Sequence, residues 1–176
     1  EPMVEQLFRM TPLEDSITIN AVALVDGQPQ TLGLREMLEQ FVDHRRDVVR
    51  RRSEFRRQKA ADRLHLVDGL LVAIVDIDEV IELIRASDNA AEAKDRLMTV
   101  FDLTEVQATY ILDMPLRRLT KFSRIELETE ADELRSSIDD LQSIVADQDR
   151  LREVVSTELA EVNAALATPR RTSLRE

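Results

Sequence analysis

Residues 34–59 read LREMLEQFVDHRRDVVRRRSEFRRQK, and eight of the sixteen residues from His44 to Lys59 are arginine or lysine. Only Asp47 and Glu54 oppose them, which leaves +6 in a short stretch of a chain whose formal charge is −11. The apolar residues around this stretch recur at Leu34, Leu38, Phe41, Val48 and Phe55, a seven-residue beat with Arg45, Arg52 and Lys59 at the infill positions. That pattern predicts a coiled-coil seam, apolar on one line and charged beside it. No proline or glycine falls between Gly33 and Gly69. A helix over 34–68 would run about 50 Å at 1.5 Å per residue, too long to hide in a small globule. Gly69 costs about 1 kcal/mol against Ala inside a helix, and a kink or break is expected there.

A second long pattern follows some 70 residues later. Leu134, Ile138, Leu141, Val145, Gln148, Arg152, Val155, Leu159, Val162 and Leu166 alternate by four and three. Residues 126–147 hold eight acidic side chains against Arg135 alone, and Asp147-Gln148-Asp149 is a place where the helix can loosen. An antiparallel hairpin of the basic and acidic helices buries both apolar lines and matches their charge. Exposed ion pairs contribute at most about 1 kcal/mol each, so they select register while the apolar side chains supply the burial energy. Eight basic heads cannot all face one partner helix, so some point outward.

The remaining segments fit around that hairpin. EPMVEQLFRM at the start reads as a helix that Pro12 stops, and SITINAVALV (16–25) with the turn signal Asp26-Gly27 reads as a strand and hairpin. A lone strand pair is not stable by itself and implies a neighbouring domain. LLVAIVDIDEVIELIRAS (70–87) carries the helical stripe Leu70, Ile74, Ile77, Ile81 and Ile84. Asp88-Asn89 is placed to cap the next short helix. Thr104 and Gln107 have capping-box spacing before EVQATYILDM, which Pro115 ends. The fold expected is mainly α: a long antiparallel coiled-coil hairpin, a small helical head at its tip, and a short β segment near the N-terminus.

Composition removes most other classes. There is no cysteine, hence no disulfide or thiolate metal site, and three glycines do not make a phosphate-binding loop. No apolar run approaches the roughly 20 residues of a membrane span. The chain opens at Glu1 without Met or a leader, as a piece of a longer cytoplasmic protein would. His44 and His65 lie about 30 Å apart along one helix and cannot share an ion. Asp76 and Asp78 in the run DIDE point to different sides of a helix, and Tyr110 sits in an amphipathic pattern that packs it rather than activates it. No catalytic residue, cofactor-binding residue or metal ligand is expected in this chain. Two readings compete on these grounds, a coiled-coil protein scaffold and a DNA-binding helical module, the latter disfavoured by the −11 balance.

Four ordered motifs narrow the choice. ALVDGQPQTLGLREMLEQFVDHRRDVVRRRSEF (23–55), VDGLLVAIVDIDEVIELIRAS (67–87), QATYILDMPLRRLT (107–120) and TPRRT (168–172) resemble, in order and spacing, the A subunit of the bacterial type IIA DNA topoisomerases. That family comprises DNA gyrase and topoisomerase IV. The resemblance implies double-strand passage that changes DNA topology, driven by ATP bound with Mg²⁺ outside this chain, on the ATP-hydrolysing B subunit or other domains. It implies the end of a tower domain at 1–32, a descending coiled-coil arm at 33–68, an exit-gate head at 69–125, a returning arm at 126–167 and a tail at 168–176. A homodimer would form through the head, at Thr104, Gln107, Ala108, Ile111, Leu112, Met114, Leu116 and Leu119. Arg45, Arg46, Arg50, Arg51, Arg56 and Arg57 would touch a duplex in transit. The family's catalytic Tyr stands beside an Arg in a winged helix; Tyr110 matches no such motif and inherits no role. Pro115 departs from the Gln or Arg more usual between LDM and LRRL.

Overall fold

The computed structural model describes residues 2–13, 15–115 and 121–171, with backbone alone at 121–123. Its elements are helix α1 (Pro2–Met10), strands β1 (Val22–Val25) and β2 (Gln28–Thr31), and helices α2 (Leu34–Val75), α3 (Ile77–Arg85), α4 (Ala90–Phe101), α5 (Glu105–Leu112), α6 (Lys121–Ala146) and α7 (Gln148–Leu166). The mainly helical class and the small β segment stand as the sequence predicts. The chain divides into two units, Glu1–Arg45 and Arg46–Glu176.

In the first unit, α1 opens with Pro2 at its first helical position and buries none of its residues. The hairpin turns at Asp26 and Gly27, both at positive φ (52° and 79°), the backbone that a two-residue type I′ turn demands. Pairing runs from Val25↔Gln28 to Val22↔Thr31. The strand is therefore shorter than the alternating run 16–25 suggests: β2 has four residues, and residues 16–20 have no ladder partner. The first turns of α2 present Leu34, Leu38 and Phe41 to solvent, at 77%, 57% and 54% exposure.

The second unit is built on the rest of α2, and here three expectations are corrected. First, α2 does not break at Gly69 but continues to Val75. Gly69 is a notch: a Cβ there would lie 2.7 Å from Cγ and 2.9 Å from Cβ of Gln107 on α5. Glycine at this point lets two helices approach closely. The break falls instead at Asp76, the N-cap of α3, so Asp76 and Asp78 never share one helix.

Second, the buried line of α2 is shifted from the expected beat. Val49 and Ser53 are buried, whereas Phe55 is 68% exposed and Lys59 lies on the surface. Third, the returning arm is not one helix. Asp147 leaves the helical backbone (φ −106°, ψ 120°) and caps the N–H of Asp149 with its side chain. Helix α6 runs antiparallel to α2, since Arg63 meets Glu130 while Arg57 meets Gln142. Helix α7 then doubles back, with Gln148 beside Arg46 and Glu158 beside Arg52. The Arg150–Asp140 pair (3.2 Å) closes the bend between α6 and α7. Val49, Ile144, Leu151 and Val155 form the small core of this three-helix bundle. In consequence Leu151 is buried and Arg152 exposed, the reverse of an uninterrupted heptad.

The notch and the bend each generate a stability prediction. Gly69→Ala gains up to about 1 kcal/mol of helix propensity but overpacks against Gln107, a cost of about 1–3 kcal/mol. A net loss is expected in urea unfolding, and combination with Gln107→Ala should abolish it. If Gly69→Ala alone stabilises the protein, the helices are not in tight contact. Arg52→Glu places two carboxylates together and should lower the melting temperature, with partial recovery in salt. Lys59→Glu should be silent.

Candidate gate head and basic arm

The head core gathers the end of α2 and the three short helices. Leu70, Ala73, Val80, Leu97, Leu103, Ala108 and Ile111 are buried together, with Leu112, Met114 and Leu127 packed at the edge. Local chemistry explains the starts of these helices. Asn89 accepts a hydrogen bond from the Glu92 N–H at the start of α4. At α5 the Thr104 hydroxyl and the Gln107 side chain exchange bonds with each other's backbone, a complete capping box.

Gln107 does more than cap. Its Nε2 donates to the backbone oxygen of His65 (2.6 Å), while its Oε1 accepts from the Thr104 N–H (2.9 Å). His65 Nε2 lies 2.7 Å from the Thr104 hydroxyl. A polar side chain at 8% exposure is thereby satisfied by the arm it packs against. Two residues back along α2, the Arg63 guanidinium forks onto Glu130 of α6 (2.6 and 3.0 Å) and donates to the Tyr110 hydroxyl of α5 (3.2 Å). The Glu130 carboxylate raises the Arg63 pKa further, so this cation stays charged at every accessible pH. Tyr110 is thus a fastening between head and arms, and neither His44 nor His65 belongs to a metal cluster: no group of three potential ligands occurs among the described residues.

The sequence-predicted contact residues separate by side. Gln107, Ala108 and Ile111 are turned into the head's own core. α5 buries more of its apolar excess than expected because the Gly69 notch draws it close. Thr104 is exposed, and Leu112 and Met114 are half-buried. Leu116 and Leu119 lie outside the described residues. The outer side of α5 presents Val106, 62% exposed, and an open groove of about 410 Å³ lined by Leu66, Glu105, Val106, Thr109, Tyr110 and Asp113. Neither Leu66 nor Val106 was singled out from the sequence, because their exposure depends on how α5 docks. Glu105 also links to Lys94 of α4 (2.7 Å), which holds the Glu105 carboxyl below and the Lys94 amine above their ordinary ranges.

The basic stretch is likewise partitioned. Arg46, Arg52 and Arg57 turn inward to Gln148, Glu158 and Gln142. The Nε of Arg52 and of Arg57 is buried without an acceptor. Arg51 pairs with Asp47 on its own helix (2.9 Å), while Arg56 is exposed and Arg50 half-exposed. Charge complementarity between the arms is present, but it involves fewer residues than the count of charges suggests. Arg135 contributes from the acidic side, meeting Asp68 at 2.8 Å.

The family model for the A subunit of DNA gyrase and topoisomerase IV matches residues 1–160. The chain belongs to that family. It is 45% identical over 174 residues to the DNA gyrase A subunit of Lawsonia intracellularis, covering 99% of this chain and 21% of that protein. It is 42% identical over 172 residues to the corresponding protein of Clostridium acetobutylicum, covering 98% and 21%, and 40% over 173 residues to that of Staphylococcus aureus, covering 98% and 20%. The chain thus spans about a fifth of the length of the curated relatives it matches. Among the described residues, no helix is long and apolar enough to cross a membrane.

The Arg63 node yields a test of head attachment. Arg63→Met removes the fork from a part-exposed Glu130 and is expected to cost up to about 1 kcal/mol. Glu130→Gln should cost less, since a neutral amide still accepts from the fork. Equal losses in chemical denaturation would mean that the pair's geometry is irrelevant.

Proposed function

We propose that this chain is the coiled-coil arm and exit-gate portion of the A subunit of a type IIA topoisomerase, serving ATP-dependent passage of one duplex through another. The observation that carries the reading is the course of α2: it runs unbroken from the arm into the core of the head, and α6 returns beside it. A compact head at the tip of a charge-matched hairpin suits a gate that must hold and release. ATP and Mg²⁺ belong, on this reading, to the ATP-hydrolysing B subunit and to other domains. The uncovered faces of the first unit, Leu34, Leu38 and Phe41 on α2 and Met3, Leu7 and Phe8 on α1, are those that the remainder of the protein would cover.

Two copies meet, in this proposal, at the outer side of α5, where Val106 is exposed, with the half-buried Leu112 and Met114 at its edge. A two-fold contact covers the same patch on both copies. For so small a head, a total buried area on the order of 1,000–2,000 Å² is appropriate. Arg45, Arg50, Arg51 and Arg56 would meet a passing phosphate backbone without reading its sequence.

Light scattering at tens of micromolar is expected to give a dimer, and Val106→Glu a monomer with unchanged helix content. A monomeric wild-type chain would defeat the gate reading. The chain by itself should neither nick nor relax supercoiled plasmid with ATP and Mg²⁺. Activity lost in Tyr110→Phe would show that the one phenol had been misread.

A further inference from the structure

We propose that the Arg63 node couples the groove on α5 to the contact between the arms. A second copy seated in the groove tightens the pairing of α2 with α6, and parting the arms weakens the hold on that copy. The inference rests on the gate reading and adds to it a route by which arm and gate sense each other. The groove straddles the two parts: Leu66 on one wall belongs to α2, whereas Glu105, Val106, Thr109, Tyr110 and Asp113 belong to α5. Leu66 stands three residues on from Arg63, so the two are neighbours on the surface of α2.

One planar cation touches both systems. Arg63 Nε and Nη2 donate to the two carboxylate oxygens of Glu130 on α6 (2.6 and 3.0 Å), and Nη1 donates to the Tyr110 hydroxyl in the groove wall (3.2 Å). Of the α2–α6 contacts Arg57–Gln142, Arg63–Glu130 and Asp68–Arg135, the second alone reaches α5. The fork fixes the plane of the guanidinium and so aims Nη1 at the hydroxyl. Without Glu130 the side chain regains its rotamers, and holding it against Tyr110 then costs entropy.

A second copy distinguishes the two states by what it buries. Tyr110 is half-buried in the single chain, and a copy seated over the groove removes the remaining water. With the arms paired, the hydroxyl keeps a charged donor, and the bonds of Arg63 strengthen as solvent is excluded. With the arms parted, the same seating buries a hydroxyl whose donor is no longer held, and an unpaired polar group opposes it. The copy therefore binds the paired state better. By linkage, pairing of the arms and pairing of the copies favour each other by one factor. The Arg63 and Glu130 side chains are each 36% exposed, so water competes and the factor sits at the low end for coupled sites, about fivefold.

The test follows the dimer dissociation constant of the whole chain by sedimentation equilibrium. Glu130→Ala is expected to weaken the dimer about fivefold, although Glu130 does not line the groove. In a Tyr110→Phe background, which keeps the ring and removes the hydroxyl, the same change should have no effect, so the double-mutant cycle isolates the coupling. Asp68→Ala opens a neighbouring α2–α6 pair that does not reach α5 and should leave the dimer as in wild type. The absence of cysteine allows spin labels at Lys59→Cys and Ser136→Cys, both exposed, one on each arm. Mixed with excess unlabelled chain, they should show a narrower spread of inter-arm distances where the dimer forms, and Tyr110→Phe should remove the narrowing. A dimer unchanged by Glu130→Ala overturns the proposal, as does a loss that persists without the hydroxyl or that Asp68→Ala reproduces. Each of these leaves the gate reading in place, whereas a monomeric wild type defeats both. Should Glu130→Ala lose helix content, the labelled chain decides alone: equal distance distributions in monomer and dimer overturn the coupling.

Discussion

The second unit is organised on one face of α2, and that face changes character along its length. At one end Val49 and Ser53 accept α6 and α7; at the other Val67, Leu70, Ala73 and Ile74 accept the head. Between them the connection is polar, through Arg57, Arg63 and Asp68 to Gln142, Glu130 and Arg135. Two small apolar cores are thus joined by a charged zipper on a single rod. Burial of side chains such as Leu70 and Leu151, worth about 1.5–3 kcal/mol each, supplies the cohesion. Half-exposed pairs such as Arg63–Glu130 add less and mainly fix which turn of α6 meets which turn of α2.

That division explains what could be read in advance. Helix boundaries set by local chemistry were legible: the Thr104–Gln107 box, the Asn89 cap, the weak point at Asp147 and the Asp26-Gly27 turn each declare themselves within four residues. The phase of the α2 seam did not. A heptad count prefers Phe55 and Val48, because it assumes one partner helix. The arm has two partners in this region, and the third helix requires a small residue, Ser53, where the chains converge. The fold-back of α7 was hidden for a related reason. Val155, Leu159, Val162 and Leu166 continue the apolar period across Asp147, so periodicity alone cannot reveal that the direction has reversed.

Gly69 shows a different limit. From the local sequence it is a helix-weakening glycine, and the expected consequence is a kink. Its role is decided by Gln107, 38 residues away, whose side chain is held from both sides by His65 and Thr104 and cannot yield. The same closeness pulls Ala108 and Ile111 inward and leaves Val106 outside. Two apolar residues of α5, Ala108 and Ile111, are thus used by the head for its own core. Contacts between distant residues, not the local sequence, determine which faces of α5 are available.

A polar zipper between two apolar cores also has a mechanical consequence. Ion pairs at a half-exposed surface exchange with water at little net cost, because solvation replaces most of what the pair contributes. Separating Arg63 from Glu130, or Asp68 from Arg135, is therefore a small perturbation compared with opening the head core around Leu97. Under load the arms would shear or splay along the zipper before either core gave way. Because α2 contributes Leu70 and Ala73 to the head core, the head would travel with α2 as one body. The compliant element is then the contact between the arms, and the head remains folded while the arms move.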